Sequence, residues 1–158
     1  MSKMKYEETK KVLNQLTADL SQASAAIHQI HWYLRGKDFK NYHELMDEYR
    51  DAIEEQLDEV AERLIIIDGS PVSTLEEFAE KSNIESVPGK WDKSIDEHLE
   101  RLVSIFRTLV AEYSKGIEAA QKEGDEVTED IFIDAKGDLE LNIWMMQAEL
   151  GKAPKNDA

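Results

Sequence analysis

Apolar residues in the first part of the chain fall at Leu13, Leu16, Leu20, Ala23, Ile27, Ile30 and Leu34. Their spacing alternates three and four, which predicts a helix that buries one stripe in a bundle. Gly36 supplies the stop. A second stripe runs through Tyr42, Leu45, Tyr49, Ile53, Leu57, Val60, Leu64 and Ile67 and is closed by Gly69. Its helix is expected to begin near Asn41, with the Asn41 side chain capping the first turn and Glu44 reaching back. After Pro71 a short helix is expected from Thr74 to about Lys81, opened by Ser73 or Thr74 with Glu76 and Glu77. The stretch Ser82 to Trp91, with Pro88 and Gly89 at its centre, breaks helix again. A third long stripe carries Ile95, Leu99, Leu102, Phe106, Leu109, Tyr113 and Ile117. The fourth, after Gly124 and Asp125, carries Phe132, Ala135, Leu139, Ile143, Met146 and Leu150 and ends at Gly151.

Four long helices, with a short one in the connection between the second and third, predict an all-α protein. The arrangement is a ferritin-like four-helix bundle with one long crossover. The 158 residues suit a single domain over 1–158, with tails at about 1–5 and 152–158. Hydrophobic residues at 41% and charged residues at 34% place the chain in the globular class and outside the disordered one. No run approaches the ~20 apolar residues of a membrane span. The polar N-terminus has no apolar signal-peptide run, so the reading is cytoplasmic, with no membrane partner. The absence of cysteine excludes disulfides, thiolate metal sites and thiol nucleophiles.

The net charge of −15 repels phosphate backbones and attracts cations. Where the acids sit decides what that charge does. His31 lies one turn after Ile27, beside the core stripe. On the second helix His43 and Asp47 are four apart, and so are Asp58 and Glu62. The 11 residues from Asp47 to Asp58 return to nearly the same face. The two pairs nevertheless stand ~16 Å apart along the axis, too far to share one metal pair within a single helix. Two copies of this helix packed antiparallel about a two-fold axis would bring His43 and Asp47 of one against Asp58 and Glu62 of the other. Two equivalent intersubunit sites result.

Two imidazoles and three carboxylates suit Fe(II), Mn(II) or Zn(II) and leave open positions for water or peroxide. Intrachain di-iron bundles use Glu-x-x-His motifs instead. None is present: Ala25, His28, Lys40 and Ile95 stand three residues before His28, His31, His43 and His98. The bland alternatives are that His31 is a satisfied histidine at the core margin and that Asp58 and Glu62 pair on the surface with Arg63 or lysines. His28 is read as structural or as a supporting ligand, and His98 as solvated.

The run His31-Trp32-Tyr33-Leu34-Arg35-Gly36, then Phe39, His43-Glu44, Met46-Asp47, and Asp58-Glu59-Val60-Ala61-Glu62-Arg63 with Gly69 and Pro71, resembles the signature of the Dps family of miniferritins. The likeness continues to Trp144 and the Gly151-Lys152-Ala153-Pro154 ending, so it spans nearly the whole chain. Lys40 and Tyr42 depart from it, standing where relatives often carry Phe and Leu. The resemblance implies a ferroxidase that oxidises Fe(II), with hydrogen peroxide preferred over oxygen, and stores ferric iron in a shell of twelve subunits. Its iron ligands map onto His31, His43, Asp47, Asp58 and Glu62. It also implies protection from oxidative damage, a radical-quenching role for Trp32 and Trp144, and pores near the start of the fourth helix. Asp125 and Asp130 are the residues expected at those pores; acids that favour the helix dipole are the simpler reading of the same run. Trp91 has no assigned role.

DNA-condensing relatives usually carry a flexible Lys-rich tail. Here Glu7 and Glu8 interrupt Lys3, Lys5, Lys10 and Lys11, and Asp157 offsets Lys152 and Lys155. DNA binding is therefore not expected. Two rival classes remain: a nonenzymatic DNA-binding shell, and a helical interaction protein whose acids are only surface.

Overall fold

The computed structural model describes residues 4–157, and helices are the only regular secondary structure among them. Its helices are α1 (Glu7–Tyr33), α2 (Phe39–Ile66), α3 (Leu75–Lys81), α4 (Ile95–Glu123) and α5 (Glu126–Glu149). The four long ones bury the expected stripes in one continuous core, and α3 interrupts the crossover from α2 to α4. No helix among the described residues is long and apolar enough to cross a membrane.

Local chemistry explains most boundaries. Thr74 and Glu77 close a capping box on α3, and Ser94 caps α4 by accepting from the Glu97 N–H. Gly124 ends α4 at φ 76°, a left-handed conformation that glycine adopts without a Cβ clash. The start of α2 differs from expectation. It opens at Phe39 after Asp38 in a left-handed turn (φ 66°) with no side-chain cap, and Asn41 lies inside the helix, exposed. The tight Gly36–Asp38 turn, closed by a Phe39 N–H to Gly36 carbonyl bond, moves the start upstream.

Topology follows from contacts at the helix ends. Glu123 accepts from the Glu8 and Thr9 N–H groups at 3.0 and 2.7 Å, so α4 ends where α1 begins. Tyr42 bonds Glu149, and Arg63 bonds Asp125 at 2.8 Å, so α2 runs antiparallel to α5. The crossover must therefore return the length of the bundle, and a polar row on α1 holds it there. Gln15 donates to the Lys81 carbonyl (2.9 Å), Asp19 accepts from Ser82 Oγ (2.9 Å) and the Asn83 N–H (2.8 Å), and Gln29 donates to the Val87 carbonyl (2.8 Å). Burial pushes the Asp19 carboxyl up from its ordinary value, partly offset by these bonds.

One further expectation is corrected. His98 is buried at 3% exposure instead of solvated, and neither ring nitrogen has a partner. Burial, with Lys93 and Arg101 nearby, lowers its pKa from the ordinary value. The segment after α5, expected as a tail from residue 152, makes hydrogen bonds to the bundle through residue 155. Gln147 donates to the Ala153 carbonyl at 3.1 Å, and Arg107 donates to the Pro154 and Lys155 carbonyls at 2.7 and 3.2 Å. Residues 1–3 of the expected N-terminal tail, and Ala158, lie outside the described residues.

Candidate functional site

The α1–α2 turn builds half of a site from backbone rules. The last carbonyls of a helix have no intrahelical donor. His31 lies in that terminal turn, and its carbonyl faces the His43 Nδ1 at 2.9 Å. The His43 carbonyl faces the His31 Nδ1 at 2.7 Å in return. The two rings stack with centroids 3.6 Å apart and planes 16° apart, and Phe39 packs on His43 at 4.8 Å. A carbonyl can only accept, so each Nδ1 carries the proton and donates. In its neutral form each ring is thereby fixed as the tautomer whose Nε2 offers a lone pair. This is how a protein orients imidazoles that bind metal through Nε2.

Asp47 joins this group: its Oδ1 lies 3.6 Å from His31 Nδ1, and its side chain is exposed. Asp58 and Glu62 do not. Both are exposed, far down the same helix, and neither forms an ion pair among the described residues. No group of three or more His, Asp or Glu side chains among the described residues is placed to hold a metal within one chain. The five residues nominated from the sequence thus divide into an imidazole-rich group (His31, His43, Asp47) and a separate acidic pair (Asp58, Glu62). Arg63, the partner that the bland alternative gave those acids, instead bonds Asp125 and Thr128 of α5.

The remaining nominated residues fall at different places. Trp32 is 57% exposed and lies against His28 with ring centroids 4.0 Å apart; Trp144 is 49% exposed on α5. Trp91 packs against Tyr33 with ring centroids 4.7 Å apart and planes tilted by 46°. Asp130 is exposed near the start of α5. Asp125 is not available to a passing cation: it is 2% exposed, caps α5 through the Thr128 N–H at 3.2 Å, and pairs with Arg63. Glu59, which the sequence reading passed over, faces α5. Burial and then Asp134, Glu55 and Asp130 push its carboxyl up, so negative charge concentrates between α2 and α5.

The ferritin-like domain family matches residues 10–156. A DNA protection during starvation protein of Streptococcus suis is 51% identical over 148 residues, covering 94% of this chain and 86% of that protein. The X-ray structure of Dps from Listeria monocytogenes superposes with a TM-score of 0.91 at 48% identity, over 93% of this chain and 96% of that one. Dps from Listeria innocua soaked with cobalt matches with a TM-score of 0.91 at 48% identity, over 93% and 94% of the two chains.

The chain belongs to the Dps family.

As a Dps-family chain it has the ferritin-like fold, and α3 is the short extra helix of its crossover. Its exposed apolar side chains include Trp32, Ile65, Ile66, Leu75, Trp144 and Met145. The sequence reading missed the reciprocal histidine–carbonyl bonds. The signal was present in the placement of His31 within the last turn of its helix.

Proposed function

We propose that this protein is a cytoplasmic ferroxidase and iron store, assembled as a homo-oligomeric shell of twelve subunits, whose iron sites are completed by two subunits. The observation that carries this reading is the division of the ligand set. Two oriented imidazoles and Asp47 lie towards one end of α2, and an unpaired carboxylate pair begins ~16 Å beyond Asp47 along the same helix, in a chain of the Dps family. Antiparallel apposition of two α2 helices about a two-fold axis joins the halves into two equivalent sites.

The chemistry follows from the donors. Neutral Nε2 atoms and carboxylates bind Fe(II), and carboxylates hold the harder Fe(III) product more strongly, which favours electron loss. Five side chains leave coordination positions open for the oxidant. Two Fe(II) ions each give one electron to one hydrogen peroxide and its O–O bond breaks. With two waters, the products are two ferric oxyhydroxide units and four protons. Oxygen is the slower alternative oxidant. A hydroxyl radical formed nearby takes one electron and the indole proton of Trp32, giving water. Exposure and proximity to the His28–His31 turn support that role, and Trp144 is the second such residue. Adding Fe(II) and peroxide to the shell and following ferric absorbance tests the activity. Oxidation no faster than in buffer would overturn it.

Iron is drawn in through pores lined near the start of α5, where the charge between α2 and α5 supports Asp130 as the pore residue. Asp125 is withdrawn from that role by its burial and its ion pair. Asp130→Asn is expected to slow iron uptake about threefold at low ionic strength, with a smaller effect at ~0.15 M salt, where screening shortens the field. Stopped-flow uptake at two salt concentrations measures this, and an unchanged rate at low salt removes the pore assignment.

The reading excludes DNA condensation. Lys11 pairs with Glu8 at 3.1 Å, Lys152 with Glu100 at 3.4 Å, and the backbone at Pro154 and Lys155 is held by Arg107, so residues 152–155 are not a free basic arm. At neutral pH and about 0.1 M salt the metal-free shell is expected to leave duplex DNA unshifted in a gel. A clear shift would favour the DNA-binding alternative.

A further inference from the structure

Arg63 directly follows Glu62 and stands four residues after Glu59, the spacing at which a helix normally sets a Glu–Arg pair. It makes no such pair. Its Nη2 donates to Asp125 Oδ1 at 2.8 Å and its Nε to Thr128 Oγ1 at 2.8 Å, while Thr128 in turn donates to Asp125. The Asp125 side chain is 2% exposed and that of Arg63 14%. A surface Glu–Arg pair is worth little, whereas a buried charge left without its partner is costly. Burial therefore commits Arg63 to α5. The consequence lies on α2, where Asp58, Glu59 and Glu62 are left with no cation within ion-pair distance.

We infer that Asp125 is a positioning residue for the iron site: by holding the Arg63 guanidinium on α5, it keeps that charge away from the carboxylates of the acidic half-site. The inference rests on the proposed role of Asp58 and Glu62 as iron ligands. An unheld Arg63 acts against metal binding in two ways. It offers Glu59, one turn back on the same helix, a competing partner, and it leaves an uncompensated positive charge beside an incoming dication. Asp125 thus serves the site from a place that touches no iron, which explains a buried acid at the start of α5 better than a pore does.

The test uses the assembled shell, with particle mass checked for each variant, and Co(II) as the probe, its affinity measured by titration calorimetry. Asp125→Asn keeps a good helix cap while removing the charge. It is expected to weaken Co(II) binding about tenfold, as loss of a supporting group around a metal ligand does. In Fe(II) oxidation KM rises and kcat holds. Adding Arg63→Met to Asp125→Asn removes the freed charge and is expected to return affinity to within about twofold of the parent, although the tie to α5 is still missing. Adding Arg63→Lys instead keeps the charge and should leave binding weak. This Met–Lys comparison also serves if Asp125→Asn alone fails to assemble. Wild-type affinity in Asp125→Asn, or equal affinity in the Met and Lys double variants, overturns the inference. A control of Asp58→Ala with Glu62→Ala separates the two levels: if it binds Co(II) like the parent, the acidic half-site itself is wrong, and the role of Asp125 falls with it.

Discussion

Changing His31 and His43 together to Ala is expected to cut peroxide-driven Fe(II) oxidation by about a hundredfold or more, since each site then loses both nitrogen ligands. Changing Asp58 and Glu62 together to Ala should cost about as much, because the carboxylates stabilise the ferric product. The folds should survive both changes. His31 and His43 sit at the end of the bundle, and the bonds lost with them run to carbonyls that water can reach. Asp58 and Glu62 are exposed and form no ion pair among the described residues. Stopped-flow absorbance of the ferric product, with particle mass as the control, measures the loss. Near-parental rates in either assembled variant would mean that oxidation occurs elsewhere.

The second large effect concerns the core where α1, α4 and α5 meet. A Cβ at Gly116 would lie 2.5 Å from Phe132 Cε2 and 2.8 Å from Val12 Cγ1. Phe132 is fully buried, and its ring meets Tyr113 edge-on at 5.7 Å, so it has little room to retreat. Helix propensity alone favours Ala over Gly by about 1 kcal/mol. Overpacking costs about 1–3 kcal/mol and opposes it. Gly116→Ala is accordingly expected to lower stability slightly, and Gly116→Val by about 3 kcal/mol, read from denaturant midpoints at fixed protein concentration. A Gly116→Ala protein more stable than the parent would show that the three-helix contact yields easily.

The long stripes were legible in the sequence because helical period and core burial are the same fact seen twice. Leu13 through Leu34 recur every three or four residues, and every member of that stripe is buried. The capping box at Thr74 and the cap at Ser94 obey rules that act over three residues. What local rules missed depends on partners distant in sequence. Asn41 looked like a cap, but the preceding left-handed Asp38 turn sets where α2 starts. His98 has charged neighbours along the chain, yet the helix turns it inward. Asp125 stands in an acidic run whose other members face solvent or one another. Only the return of α2 antiparallel to α5 brings Arg63 to it, 62 residues away in sequence. The three-residue step from Asp125 to Thr128, just after Gly124, did mark a helix cap and was the available signal.

The candidate site divides in the same way. Ligand types and their faces on α2 could be read from spacing, and so could the distance that separates the halves. The tautomer of each histidine could not, because it depends on two carbonyls that approach only when the Gly36–Asp38 turn closes.

Refolding the two half-site variants together measures the central claim most directly. One variant lacks His31 and His43, the other Asp58 and Glu62, and no single chain of either kind holds a complete ligand set. In a mixed two-fold dimer one site combines both damaged halves and the other combines both intact halves. Random pairing makes mixed dimers about half of the population, so roughly a quarter of all sites should recover Fe(II) oxidation. Activity near that level, with co-assembly established by mass, is the predicted result. Co-assembled particles no more active than the separate variants would contradict a site shared between subunits.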